Sequence, residues 1–590
     1  MEHKEQFDFR RMSFYQIWIR SFADGNGDGI GDLKGVYEKL DYIRDLGVDG
    51  IWFSPIFPSP NADYGYDISD YKNIHPDYGT LEDFRRVLDR AHSLGLKVLL
   101  DLVINHTSDE HPWFIESCKG RDNPYSDYYI WRDPVFKKEN RLPPNNWFSQ
   151  FEGLAWEYND TRGQYYLHVF ARKQPDLNMD NPKVREEVKN IMRFWLDMGV
   201  DGFREDVITY ISKDKRLPDG IPFIPAINGL KFYNEGPNLH RFLSEFREVA
   251  LGYGAVQIGE APNTSVAGAR KYIAGPNRVL DMMIQFETMM ADCFLADYIH
   301  LPFSLRKLKR AFSRWQYGLG DDAWNALYLE NHDHPRVLNR YGSTDHWRAS
   351  GSMLAACFIL QRGTPFIYQG QELGMTNIAL DSIEKYNDVV SIYAYHHFHT
   401  HENEEKRLKR IHISSRDSAR TPMQWSAADN AGFSVCKPWF YVNPNYKTVN
   451  AESEDRDPES ILNFYRQCLA LRKSSETLLK GSYREYMRCS RHIYMFERAY
   501  RDERILVICS FSDKAVSLRI PRTFRLRNRT KTDSGVTECS TAEGIETERK
   551  RALQAEVILD NYGNNNAGKT MLDCLKPVVL QPYEVKVLRT

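Results

Sequence analysis

The chain has 590 residues, of which 78 are basic and 80 acidic, giving a formal net charge of −2. That balance excludes a global field favouring nucleic acid or an anionic membrane and points to a small neutral ligand, while the length predicts a barrel-sized domain with smaller companions. Aromatic residues make up 13% of the chain, a content that suits stacking on sugar rings as well as ordinary core packing.

Short apolar, β-rich runs alternate with amphipathic stretches, the signature of parallel β/α units. The first run is YQIWIRSF (15 to 22). Directly after it, DGNGDGIGD places Asp24, Asn26, Asp28, Ile30 and Asp32 at the spacing of an oxygen-rich calcium loop through its ninth position, with Gly35 where a bidentate Glu would close it. A small structural Ca²⁺ site is the expectation there, and no organic cofactor is expected. The second and third runs are GVDGIWFSP (47 to 55) and LKVLLDLVIN (96 to 105). An excursion rich in Trp, Tyr, Pro and Asn follows from His106 to Asn178, too long for a simple loop and read as a small inserted domain.

VDGFREDV (200 to 207), AVQIGEA (255 to 261), DMMIQFE (281 to 287), NALYLENHD (325 to 333) and TPFIYQG (364 to 370) complete eight runs. Eight strands with intervening helices predict an α/β fold, a closed (β/α)8 TIM barrel whose site lies at the C-terminal strand ends. The barrel is assigned to 1–105 and 179–479 with a lid-like excursion at 371–425, the insert to 106–178, and a C-terminal antiparallel β-sandwich to 480–590, where RHIYMFERAY, RILVICSFS and EVKVLR alternate. The apolar run MLAACFIL is broken by Gln361 and Arg362, short of the roughly 18 residues of a membrane span. MEHKEQFDFRRMSF has no apolar signal core, so a cytoplasmic location is expected. Nine cysteines without a CxxC pair argue against a disulfide framework or zinc site.

Buried parallel strands should be continuously apolar, yet the fourth run carries Arg204, Glu205 and Asp206 and the fifth ends in Glu260. Alternation points Arg204 and Asp206 the same way, so the guanidinium is expected to keep Asp206 ionised, as a carboxylate nucleophile requires. Glu260, one strand on, would be held protonated by repulsion and serve as the acid. Carboxyls roughly 5 to 5.5 Å apart would imply retention through a glycosyl-enzyme. His332 and Asp333 close the seventh run, and Asp101 and His106 the third; an isolated histidine at a strand end is as readily structural as functional.

These residues resemble glycoside hydrolase family 13, in its oligo-1,6-glucosidase and dextran glucosidase branch, over nearly the whole chain. The motifs are DLVINH (101 to 106), QPDLN (174 to 178), GFREDV (202 to 207), GE (259 and 260) and ENHDHPR (330 to 336). The resemblance implies Asp206 as nucleophile, Glu260 as general acid/base and Asp333 as transition-state stabiliser. It further implies that Asp63 in NADYGYD and Arg420 in SARTPMQW grip the terminal glucose of a small oligosaccharide, making the action exo. Tyr66 would stack on that glucose, Phe170 line the pocket, His106, Arg204 and His332 bind hydroxyls or orient carboxylates, and Asp101 support Arg204. Val207, after the nucleophile, is implied to favour α-1,6 over α-1,4 bonds. QFETMMADCF stands where sucrose isomerases of the branch have RLDRD, which favours hydrolysis over transglucosylation or isomerisation by the same covalent intermediate. A non-catalytic relative, like the heavy chains of amino-acid transporters, is disfavoured by the three carboxylates. Glu205 and His334 depart from the family pattern; alternation aims Glu205 at the helix layer, where it needs a partner or an altered pKa.

Overall fold

A computed structural model describes residues 6–221, 227–294, 299–398, 400–527, 554–563 and 570–590. Residue 399 of the lid-like excursion and parts of the C-terminal unit lie outside the described residues. All eight runs form strands: β1 (Phe14–Ile17), β2 (Gly50–Phe53), β3 (Lys97–Leu102), β4 (Gly202–Glu205), β5 (Val256–Ala261), β6 (Met282–Gln285), β7 (Ala326–Leu327) and β8 (Thr364–Tyr368). They pair in parallel in the order β6-β5-β4-β3-β2-β1-β8-β7, and a parallel bridge between Met283 and Asn325 joins β6 to β7. The sheet is therefore a barrel.

Phe14, Trp52, Leu99, Val256, Ile258, Met282, Ile284, Tyr328 and Phe366 fill its interior as one apolar cluster, and the alternate residues pack outward against the helices. Gly202 opens β4 because a Cβ there would lie 2.2 Å from the Val256 carbonyl oxygen. The helices begin where sequence caps them. Asp32 accepts from Gly35 N at the start of α1 (Leu33–Leu46), Thr80 and Asp83 form a capping box on α2 (Leu81–Ser93), and Asn181 with Pro182 opens α3 (Pro182–Met198).

The insert after β3 contains an antiparallel sheet of Trp131–Arg132, Gln164–Leu167 and Trp156–Asn159. Bridges between His106 and Asp176 and between Tyr129 and Leu177 tie both its ends to the barrel mouth. After β8 the chain runs through helices Val389–His397 and Glu404–Ser414 to a tight turn at Arg416–Ser418. At the C-terminus a six-stranded antiparallel sheet faces a two-stranded one across Met495, Leu506, Ile508, Leu518, Leu580 and Leu588. Among the described residues no helix is long and apolar enough to cross a membrane, and every described cysteine is free.

Candidate active site

Arg204 projects from β4 into the barrel mouth and is fully buried. Its Nη1 donates to Asp101 Oδ1 and Oδ2 at 2.7 and 2.9 Å and to Asp206 Oδ1 at 2.8 Å, and its Nη2 donates to Glu260 Oε1. The Trp52 and Tyr66 rings flank it at 5.2 and 5.8 Å. Register explains the meeting, because Arg204 is paired across the sheet with Asp101 on one side and Ile258, two residues before Glu260, on the other.

The sequence expectation sets the guanidinium of Arg204 beside Asp206, with Asp101 as its support. In the structure Asp101, Asp206 and Glu260 share it, so burial, only partly offset by Arg204, pushes the carboxyls of Asp206 and Glu260 upward. One cation cannot hold three buried anions, and the pair therefore retains a proton. The Asp206 side chain keeps 9% exposure and Glu260 only 3%. Just past Asp206, Val207 is left-handed, at φ 32° and ψ 42°, and its N–H donates to Glu260 Oε2 at 3.2 Å. That conformation costs a β-branched residue about 1–3 kcal/mol, and it aims the amide at Glu260.

Asp333 lies beyond β7. Its Oδ2 is 3.0 Å from His332 Nε2, and its Oδ1 accepts from Arg416 Nη1 at 3.3 Å and Arg420 Nη2 at 3.4 Å. His332 and these cations outweigh the desolvation and hold its carboxyl well below the usual range. Asp63 accepts from Arg416 Nη2 and Gln174 Nε2, both at 3.3 Å. Its expected partner is thus corrected: Arg416, not Arg420, meets Asp63, while Arg420 donates to the His332 carbonyl at 3.1 Å. The two arginines bracket one tight turn, so that both reach Asp333 but only Arg416 extends across to Asp63. Arg416 Nε also donates to Asp388 Oδ1 at 2.8 Å.

These groups surround a cavity of about 640 Å³ lined by Asp63, Tyr66, His106, Phe170, Asp206, Val207, Glu260 and Asp333 among the expected residues. Asp101, Arg204, His332 and Arg420 stand behind that lining. Tyr66 lies parallel to the His332 ring at 5.0 Å and donates its hydroxyl to Asp101 Oδ2 at 3.0 Å. His106 is held at the Tyr66 carbonyl and Gln174, packs on Phe170, and is driven by burial down to about 4, a neutral ring. Arg416, Asp388, Gln174, Phe151 and Glu287 complete the wall and were not assigned from sequence. The one signal for Arg416 is its four-residue spacing from Arg420.

Glu205 points into the helix layer as alternation requires. Its Oε1 accepts from Gln257 Nε2 at 2.6 Å, and Oε2 has no hydrogen-bond partner among the described residues. Arg247, the cation facing it, is engaged by Asp281 at 2.7 and 3.0 Å, so burial raises Glu205 to about 7. His334 lies against Phe286 and lines the cavity.

None of Asp24, Asn26, Asp28, Ile30 or Asp32 lines the cavity. Asp24 accepts from Gly27 N and Gly29 N at 2.6 and 2.8 Å, and Asn26 and Asp28 each accept from the backbone two residues on. Asp32 likewise accepts from Gly25 N, Asn26 N and Gly35 N, so the side-chain oxygens of the loop accept from its own backbone. Asp292, Cys293 and His300 also gather near the pocket rim, but Arg340 contacts both Asp292 oxygens and donates to Cys293 Sγ at 3.7 Å. A guanidinium already serves as their counter-ion.

Residues 16–481 match the family described as alpha amylase, catalytic domain. The oligo-1,6-glucosidase of Parageobacillus thermoglucosidasius is 46% identical over 514 residues, covering 86% of this chain and 91% of that one. The solved trehalose-6-phosphate hydrolase of Bacillus licheniformis superposes with a TM-score of 0.86 at 38% identity, covering 99% of both chains. A trehalulose synthase variant in complex with Tris superposes at 0.88 with 37% identity, over 99% of this chain and 100% of its own.

Proposed function

The chain belongs to glycoside hydrolase family 13, through its alpha-amylase catalytic domain, and on that premise we propose a retaining, exo-acting α-glucosidase that removes terminal α-1,6-linked glucose from short oligosaccharides such as isomaltose. The observation that carries this reading is one guanidinium, Arg204, holding Asp206 and Glu260 together at a pocket whose wall Asp63 and Arg416 close. Asp206 attacks the anomeric carbon while Glu260 gives its proton to the leaving oxygen; water, deprotonated by Glu260, then cleaves the glucosyl ester. Asp333, kept ionised by His332, Arg416 and Arg420, stabilises the oxocarbenium-like transition state.

The leaving-group side supports a neutral aglycone. Among the described residues Arg416 is the one Lys or Arg of the lining, and it is spent on Asp63, Asp333 and Asp388; the lining also includes Glu287, Phe286, Met290 and Leu230. A phosphorylated sugar, of the kind named for the trehalose-6-phosphate hydrolase, would meet a carboxylate there instead of a paired donor. Val207, beside Glu260, supports α-1,6 preference, a choice worth about 1–3 kcal/mol for a single methylene.

Calcium, by this reading, is structural. Asp24, Asn26, Asp28, the Ile30 carbonyl and Asp32 would hold it, and it would lock the loop leading into α1 without entering the chemistry. Initial rates on isomaltose, isomaltotriose, maltose, sucrose and trehalose test the function. Isomaltose should lead, with glucose as product; a clear preference for maltose, or conversion of sucrose to an isomer, would overturn it.

A further inference from the structure

We infer that Gln16 is a positioning residue: from β1 it fixes the tautomer of His332 and thereby the charge that Asp333 presents to the substrate. The inference rests on the reading of Asp333 as the third carboxylate. Gln16 is an amide in an otherwise apolar strand, Phe14–Ile17, and is 1% exposed. Its Nε2 lies 3.1 Å from Ser54 Oγ and 2.8 Å from His332 Nδ1. An amide N–H₂ has two protons and no acceptor capacity, so one proton goes to each neighbour and Nδ1 must be bare. The imidazole proton then sits on Nε2, which faces Asp333 Oδ2 at 3.0 Å.

Among the described residues no other hydrogen bond to the ring sets it this way. Tyr66 covers one face and Trp52 meets it edge-on at 6.5 Å. Asp101 is one step removed, through the Tyr66 hydroxyl. Arg420 touches the backbone carbonyl of His332, not the ring, and reaches Asp333 beside Arg416. Among the described residues Gln16 is the group in hydrogen-bond contact with Nδ1. A neutral ring donating one proton orients Asp333 and leaves its charge intact; an imidazolium would cancel that charge where positive charge develops on the sugar.

Gln16→Leu and Gln16→Glu test this, each alone and in an Asp333→Asn background, read as kcat and KM on isomaltose across the pH profile together with melting temperature. Leu should lower kcat/KM roughly tenfold, the loss of one hydrogen bond. Glu, an acceptor, should force a proton onto Nδ1 and lower it further. In Asp333→Asn both effects should shrink below about twofold, since the acting partner is gone. Profiles that superimpose on the parent with only the melting temperature lowered would overturn the inference, as would a Gln16→Glu enzyme of parental activity, which would mean an acceptor faces the ring. A fully active Asp333→Asn enzyme would instead sink the reading of the third carboxylate, so the two failures are distinct.

Discussion

Glu205→Gln isolates the one buried carboxyl of β4 that faces away from the chemistry. Burial lifts this group from the ordinary 4.5 to about 7, because Gln257 is its single hydrogen-bond partner and Asp281 has already taken Arg247. The unfolded chain gives up the proton near the ordinary value and the folded chain near the raised one. Stability is therefore greatest below the unfolded value and falls as pH rises toward the folded value. At about 1.4 kcal/mol per pH unit, that window corresponds to about 3 kcal/mol. Glutamine keeps the acceptor for Gln257 and cannot ionise. Its unpaired amide adds a pH-independent penalty of about 1–3 kcal/mol, so the diagnostic is the change in the difference between the proteins. Denaturant midpoints measured at steps from weakly acidic to alkaline pH should show the variant gaining on the parent through that window, then running parallel. A constant difference at all pH values would refute the assignment of an unpaired, titrating Glu205.

Arg416→Gln and Arg420→Gln should separate the two arginines. Loss of a charge-assisted bond worth about 1.5–3 kcal/mol should lower kcat/KM roughly ten- to hundredfold. For Arg416, which alone reaches Asp63, the loss should fall chiefly on KM; for Arg420, whose side chain meets Asp333 and the His332 carbonyl, on kcat. The reverse ordering in steady-state kinetics would contradict the pocket geometry. Chelation by EGTA should lower the melting temperature, restored by Ca²⁺ but not by Mg²⁺, with turnover below the transition unchanged; an unmoved melting curve would remove calcium from the loop at Asp24–Asp32.

Much of the barrel was legible because its strands are short apolar runs bounded by turn residues, and because charge inside such a run, at Arg204, Asp206 and Glu260, has few explanations other than a site. Even β7, only Ala326–Leu327 as a ladder, was found through the extended apolar run that carries the chain on to Asp333. Arg416 was not legible. It sits in a long excursion with no periodicity, and its partners Asp63 and Asp333 are 353 and 83 residues away. The contact between Gln16 and His332 spans 316 residues and exists only because β1 and β7 lie on either side of β8 in the sheet. The carboxyl of Asp206 departs from the expectation for a related reason: Glu260 shares the guanidinium that Asp101 is expected to support, and burial outweighs what Arg204 gives Asp206. The left-handed Val207 also carries no sequence signal, since a β-branched residue is the last expected there.

The most direct test is to trap the glucosyl-enzyme. Incubation with a 5-fluoro-α-glucosyl fluoride, which slows breakdown of the intermediate, followed by proteolysis and mass spectrometry, should place one glucosyl ester on the peptide containing Asp206, while NMR of isomaltose hydrolysis shows α-glucose first. A label on another residue, or β-glucose as the first product, would contradict the account.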